Sequence, residues 1–440
     1  LVQSVELPGM DQMNCHRAHL ITPLAVAFAF GLGCSRPGVP VGRSAHGSEE
    51  GSAKGVQSEA KWSEANAYTP ATPEQQSIGA AHGRRRRVTQ SHWVTGYYVG
   101  YQADKHPPNE IDWNGLSHLV LGAARAAPDG SLDLTFFRGN NAAGAALARD
   151  VTKRAHVAGK DVLLMLGGAG NGLEIMSAVR NHRDEFIANL IKAVNDFGFD
   201  GIDLDWEGTV DMPQYVELAK SLRAALPNAI LTAPGYIVNS NFQSVDPKVA
   251  KLAEQLDQYN LMSYYPATAM TGSGWMSWHN CPLEGVKGST PISIADSLER
   301  HVAAGVPKSK LGMGVAFYAI CYTGGVTAPN QPTNEAAILG GDNDYPLSEL
   351  FGRGGPYSDT VRHWDMAALV PYLSLATPER HGCRYISYED EQSLEAKGKF
   401  VKRHGYGGTI VWTISQGYLP ERPPGQRNPL MGALKRGFLD

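Results

Sequence analysis

From residue 92 onward the chain repeats one pattern eight times, a short β-rich run followed by a stretch with helical periodicity. The runs lie near 94–101 (Val-Thr-Gly-Tyr-Tyr-Val-Gly-Tyr), 117–124, 161–168 (Asp-Val-Leu-Leu-Met-Leu-Gly-Gly), 199–207, 229–236, 258–265, 311–318 and 408–415 (Gly-Thr-Ile-Val-Trp-Thr-Ile-Ser). Between the third and fourth, Ile187, Leu190, Ile191 and Val194 mark one face of a helix over Arg183 to Phe197, which Gly198 stops. Tyr215, Leu218, Leu222 and Ala225 mark the next helix, with Pro227 beyond it. After the sixth run, Ser293 can cap a helix through Leu298 and Val302 to Gly305, with Asp296 in the capping-box position. Strand and helix alternating eight times predict an α/β fold, a (β/α)8 TIM barrel. The 49 Gly and 27 Pro provide the turns that so many elements require.

The spacing also locates an insertion between strands 7 and 8. About 90 residues separate those runs, where one helix and two loops need about 30. Residues from about 320 to 385 are therefore expected to fold by themselves, with a helical stretch near Met366 to Leu373. The barrel with its insertion occupies 92–440. Residues 35–91 turn to Gly, Ser, Ala, Glu, Pro and Gln without apolar periodicity and read as a flexible linker. The basic run Arg84 to Arg87 within it reads as a solvated charge run, with a protease site or anion contact as the alternatives.

Residues 1–34 read as upstream read-through plus a signal peptide. Met10 and Met13 are both candidate starts, Arg17 gives a basic head, and Leu20 to Gly33 form an apolar run too short to span a bilayer comfortably. Cys34, after Gly31-Leu32-Gly33, leaves two readings open: a lipid anchor as in bacterial lipoproteins, or plain cleavage nearby. Either reading predicts a secreted or extracytoplasmic protein without a membrane span. The net charge of −4 gives no basic face for nucleic acid or for an anionic membrane.

Chemistry concentrates in Phe199-Asp200-Gly201-Ile202-Asp203-Leu204-Asp205-Trp206-Glu207. A strand sends alternate side chains to one face, so Asp203, Asp205 and Glu207 share a wall while Ile202, Leu204 and Trp206 face the other way. Carboxylates a few ångströms apart cannot all ionise, and a retained proton near neutral pH is what a general acid needs. A calcium loop would place glycine mid-loop and oxygen ligands at every second position, without Trp or Leu between them. His279 and Cys281 are close, but no second pair with ligand spacing follows, so neither a metal nor a cofactor is expected.

The pattern Asp200-x-x-Asp203-x-Asp205-x-Glu207 resembles the signature of the family-18 glycoside hydrolases, the chitinase family. The resemblance implies Glu207 as proton donor to the glycosidic oxygen, Asp205 as the group orienting the substrate's acetamido, and Asp203 as its proton-exchange partner. The nucleophile in that family comes from the substrate itself. The strand Asn260-Leu261-Met262-Ser263-Tyr264-Tyr265 is similar to the family's Met-x-Tyr-Asp. Tyr264 would then donate to the acetamido oxygen and Met262 would line the pocket, while Tyr265 stands where the family usually has Asp. Trp412 matches the Trp that floors the −1 subsite. Trp275 and Trp278 lie on a loop at the same end and suit the faces of a polysaccharide. Tyr98 matches a Tyr that bonds Asp203. Gly167 and Gly168 match a Ser-x-Gly-Gly whose serine is here Met165, which leaves Tyr98 as the only donor that the resemblance carries over to Asp203. Asp200, Gly167 and Gly168 are structural members of these motifs.

In this family a small α+β module often occupies the insertion's place and walls the cleft, and the same is expected here. Cys321 and Cys383 bracket the insertion and are the first choice for a disulfide, with Cys281 free; three buried thiols are the alternative. The function implied is retaining, substrate-assisted cleavage of chitin or N-acetylglucosamine oligosaccharides, endo-acting rather than exo-acting, by a monomer. An endo-β-N-acetylglucosaminidase acting on N-glycans, or an inactive chitin-binding lectin, are the alternatives; the presence of Glu207 counts against the lectin.

Overall fold

The alternation closes into a barrel. Strands β1 (Trp93–Val99), β2 (His118–Ala126), β3 (Asp161–Gly167), β4 (Gly201–Asp205), β5 (Ile230–Tyr236), β6 (Gln258–Met262), β7 (Leu311–Ala316) and β8 (Gly408–Trp412) each pair in parallel with the next, and β8 pairs with β1. This computed structural model describes residues 92–238, 244–265, 269–270, 274–285 and 293–440. The signal-like run, Cys34 and the 35–91 linker lie outside the described residues. No helix among the described residues is long and apolar enough to cross a membrane.

Helices α1 (Asn141–Val157), α2 (Gly172–Asn181), α3 (Arg183–Phe197), α4 (Met212–Ala225), α5 (Val249–Gln255), α6 (Ile294–Ala303) and α7 (Glu391–His404) follow strands β2 to β7, whereas β1 is followed only by short 3-10 turns instead of the helix that the pattern predicts. On α3 the buried apolar side chains are Phe186, Leu190, Ala193, Val194 and Phe197, and Gly198 ends the helix in the left-handed region at φ +74°. Ile187 and Ile191 are only half-buried, so the core-facing stripe is rotated from the one read in sequence. Ser293 caps α6 as expected, its hydroxyl accepting from the Asp296 N–H at 3.2 Å.

A large core lies between strands and helices, and a smaller one inside the barrel groups Tyr97, Val120, Ala123, Leu163, Met165 and Ile410. Asp200, the first acid of the motif, serves the opposite end of β4 from Asp205. It accepts the Val162 N–H at 2.8 Å and meets His156 Nε2 at 2.9 Å, which ties β3 and α1 to the start of β4.

The insertion is a five-stranded antiparallel sheet, in the order Ile338–Leu339, Ile320–Tyr322, Tyr385–Ser387, Val370–Ser374, Arg362–Asp365. The expected helix at Met366 to Leu373 is instead a turn and a strand. Asp365 accepts the Ala367 and Ala368 N–H groups, Leu369 takes φ +54°, and Pro371 sits opposite Trp364. Asx-turn chemistry and the β-favouring Val370 and Tyr372 outweigh the helical spacing. The module's α-helix is Leu347–Phe351. Cys321 and Cys383 form the disulfide, with Cα atoms 5.6 Å apart, and Cys281 is free and buried.

Candidate active site

β4 ends at Asp205, and its pleat turns Asp203 and Asp205 into the barrel, where both are buried. Glu207 follows two residues later, half-buried on the loop at the carboxyl ends of the strands, the end where barrels of this type hold their chemistry. Gly167 and Gly168 make the close approach possible. They take φ +100° and +91°, and a Cβ on Gly167 would stand 2.4 Å from the Asp205 carbonyl oxygen. The Gly168 N–H donates to that same oxygen at 2.8 Å.

Burial, which penalises the charged form, dominates the electrostatics of all three acids. It raises Asp203 to about 6, against which the Thr232 and Tyr97 hydrogen bonds pull downward. Asp205 is pushed well above the ordinary carboxylate range, by burial first and then by the charges of Glu207 and Asp203. Glu207 is raised to about 7 by burial, partly offset by the Ala169 backbone N–H, so it holds its proton near neutrality. Asp205 Oδ1 is buried without a hydrogen-bond partner among the described residues.

Tyr98 does not bond Asp203. The strand's two-residue period sends Tyr98 outward into the core, where its hydroxyl donates to the His106 carbonyl at 2.6 Å. Its neighbour Tyr97 faces inward and donates to Asp203 Oδ2 at 2.8 Å. Nor is Asp203 left with a single donor, because Thr232 on β5 donates to Oδ1 at 2.5 Å. Both partners were one inference away in the sequence: the inward parity of β1 marks Tyr97, and a threonine on an inward position of β5 is a polar group that must find a partner.

Tyr264 and Met262 are half-buried and pack with Trp412 on the interior cluster, so the predicted pocket residues do converge. Burial and then the neighbouring Tyr318 and Glu207 hold the Tyr264 hydroxyl protonated, a donor at any working pH. Tyr97 and Trp412 meet at 5.3 Å between ring centroids. The Trp412 indole reaches Asp342 of the insertion, a carboxylate that also accepts from Tyr101 and from Gln416 Nε2; no local sequence signal could have linked these residues. Tyr236, also unforeseen, accepts the Gly208 N–H at 2.7 Å just past Glu207.

Tyr265 and Trp275 remain half-exposed, both packed on the insertion's Ile320, Tyr322 and Tyr385. Tyr265 takes φ +50°, and its ring lies against Gly340, where a Cβ would come within 2.4 Å. Trp278 does not offer a face to substrate. It is buried, and its backbone N–H and carbonyl are both bonded to Tyr322 Oη. His279 beside it is likewise buried, between Asp365 at 2.9 Å and Tyr385 at 3.0 Å. The aromatic cluster read as a sugar platform is in part the glue between the loop after β6 and the insertion.

Comparison with known proteins gives one family match, Glycosyl hydrolases family 18, over residues 94–417. A probable endochitinase of Caenorhabditis elegans is 29% identical over 296 residues, covering 57% of this chain and 43% of that protein. Chitinase A1 of Niallia circulans is 28% identical over 281 residues, covering 56% and 38%. The chain thus spans about two fifths of the length of these relatives. The crystal structure of the Ostrinia furnacalis Group IV chitinase superposes with a TM-score of 0.64 over 78% of this chain and 98% of that one, at 21% identity, a likeness of fold.

Proposed function

The chain belongs to the family-18 glycosyl hydrolases, and from that premise we propose that it is a chitinase, cleaving β-1,4 bonds between N-acetylglucosamine units with retention and with help from the substrate's own acetamido group. The observation that carries this reading is the row Asp203, Asp205, Glu207, in which burial keeps a proton on Glu207 up to about pH 7. Glu207 is then a proton donor for the leaving oxygen, as general acid catalysis requires. Asp205 Oδ1, a buried acceptor with no partner among the described residues, suits the N–H of an acetamido group. Held there, the acetamido oxygen can attack the anomeric carbon as the bond to the leaving oxygen breaks and Glu207 protonates it, with Asp205 beside the positive charge that forms on the acetamido group and the Tyr264 hydroxyl orienting its oxygen. Trp412 gives the sugar ring a flat apolar floor.

The insertion fits a walled cleft, and with it an elongated substrate cut internally. The Cys321–Cys383 disulfide fits an exported, extracytoplasmic protein, since such bonds persist in oxidising compartments. Monomeric action and a lipid anchor at Cys34 belong to the same reading. Digestion of a chitin hexamer and of a high-mannose glycopeptide, side by side, tests it. The hexamer should yield short oligomers while the glycopeptide stays intact. Release of the glycan from the glycopeptide alone would assign endo-β-N-acetylglucosaminidase activity, and binding of the hexamer without cleavage would make the protein a lectin.

A further inference from the structure

We propose that Thr232 is a positioning residue which gives Asp203, from β5, a hydrogen bond that Met165 on β3 cannot give, and that it thereby sets the acidic limb of the pH–rate profile. The inference rests on the proposed function, with Asp203 as the proton-exchange partner of Asp205 that the family resemblance implies.

In register Asp203 stands between Met165 on β3 and Thr232 on β5. Met165 is buried and its thioether gives no hydrogen to donate. Its side chain fills the space beside Asp203: a Cβ on Gly122 would come within 2.8 Å of its sulfur, and one on Gly168 within 3.1 Å of Cε. Thr232 is fully buried, and its hydroxyl donates to Asp203 Oδ1 at 2.5 Å while Tyr97 donates to Oδ2 at 2.8 Å. Each carboxylate oxygen therefore has one O–H donor, from opposite sides, and β3 supplies neither.

The other titratable groups around Asp203 are Asp205 and then Glu207 on its own segment, Tyr97 from β1, Tyr215 from α4, and Tyr264 after β6, which faces Tyr97. The tyrosines are held protonated by burial, so among the described residues the charges in play are those of the carboxylates. On the proposed mechanism, a proton that Asp205 carries to the acetamido group leaves Asp203 as an anion. Among the described residues, Tyr97 and Thr232 are the groups that stabilise that anion, and burial opposes it.

The experiment is a set of kcat/KM–pH profiles on one soluble chitin oligomer for wild type, Thr232→Val, Thr232→Ser, Met165→Ser and the Thr232→Val/Met165→Ser double variant, with thermal melts. Valine keeps the shape and removes the donor. Losing one hydrogen bond to a charged group should move the acidic limb upward by about one to two pH units. The shift is that of Asp203, whose charge in turn raises Asp205. Serine at 232 should keep the limb where wild type has it. Met165→Ser alone should move it little, since both oxygens are already served, but in the Thr232→Val background it should bring the limb back toward wild type. A Thr232→Val limb that coincides with wild type in a folded protein overturns the proposal, as does a Thr232→Ser limb displaced as far as the valine's. Should the double variant fail to fold, the valine and serine pair decides. Wild type inactive on every oligomer would defeat the functional reading instead. In that case 13C-carboxyl NMR titration of Asp203 in wild type and Thr232→Val still decides the inference, by the same upward shift or its absence.

Discussion

Replacing Glu207 with Gln is expected to lower kcat by roughly 10²–10⁴-fold, the share that a positioned general acid contributes. The amide keeps the shape of the side chain, and Glu207 lies half-buried with its polar end near the Ala169 N–H, so the loop should not rearrange. What disappears is the proton, which burial holds on Glu207 to about pH 7. Binding of oligosaccharide should survive, and KM should change far less than kcat, the signature of an interaction made in the transition state. Single-turnover and steady-state kinetics on pure Glu207→Gln decide it. A kcat close to wild type would remove Glu207 from the chemistry. A large rise in KM at unchanged kcat would make it a binding group only.

Lys397→Ala is expected to be the most damaging single change to stability away from the chemistry. Lys397 on α7 and Glu389, just before that helix, are both fully buried, with Nζ 2.7 Å from Oε1. The second carboxylate oxygen accepts the Ser393 hydroxyl at 2.6 Å, and the Cys281 thiol is bonded to the same group. Burial alone drives Glu389 toward its neutral form, and the lysine is the largest influence opposing it. Removing one partner of a buried pair typically costs about 3–5 kcal/mol, because the other charge is left in a dry interior. The cluster also seats α7 ahead of β8, which ends in Trp412, so its loss should loosen the floor of the site. Urea denaturation should show the drop, and the Glu389→Gln/Lys397→Met double variant should recover most of it. A single-variant loss below about 1 kcal/mol would mean that water or another group reaches Glu389.

The sequence made the barrel and the acid row readable because both rest on local periodicity. Eight runs at strand spacing, and acids at every second position of one of them, need no knowledge of what lies opposite. The misreadings occur where a partner distant in sequence decides. Tyr97 and Tyr98 are equally plausible until the parity of β1 is fixed against its neighbours. The second donor to Asp203 comes from β5, and the carboxylate that holds the Trp412 indole comes from the insertion. Trp278 reads as a sugar-binding face because it lies on a loop at the catalytic end, yet it is buried and Tyr322 of the insertion captures both of its backbone groups. At Met366 to Leu373 the apolar spacing fits a helix, and the turn made by Asp365 overrides it.

The central claim is that the substrate's acetamido oxygen, placed by Asp205 and Tyr264 and driven by the Glu207 proton, is the nucleophile. Attack from within the sugar followed by water from the opposite face gives net retention. The most direct measurement is early-time proton NMR of the products released from a chitin oligomer, before mutarotation, beside an incubation with fully deacetylated chitosan. The account predicts β-anomer as the initial product and no cleavage of the deacetylated polymer. Initial α-anomer, or hydrolysis of a chain with no acetamido at the −1 sugar, would contradict it.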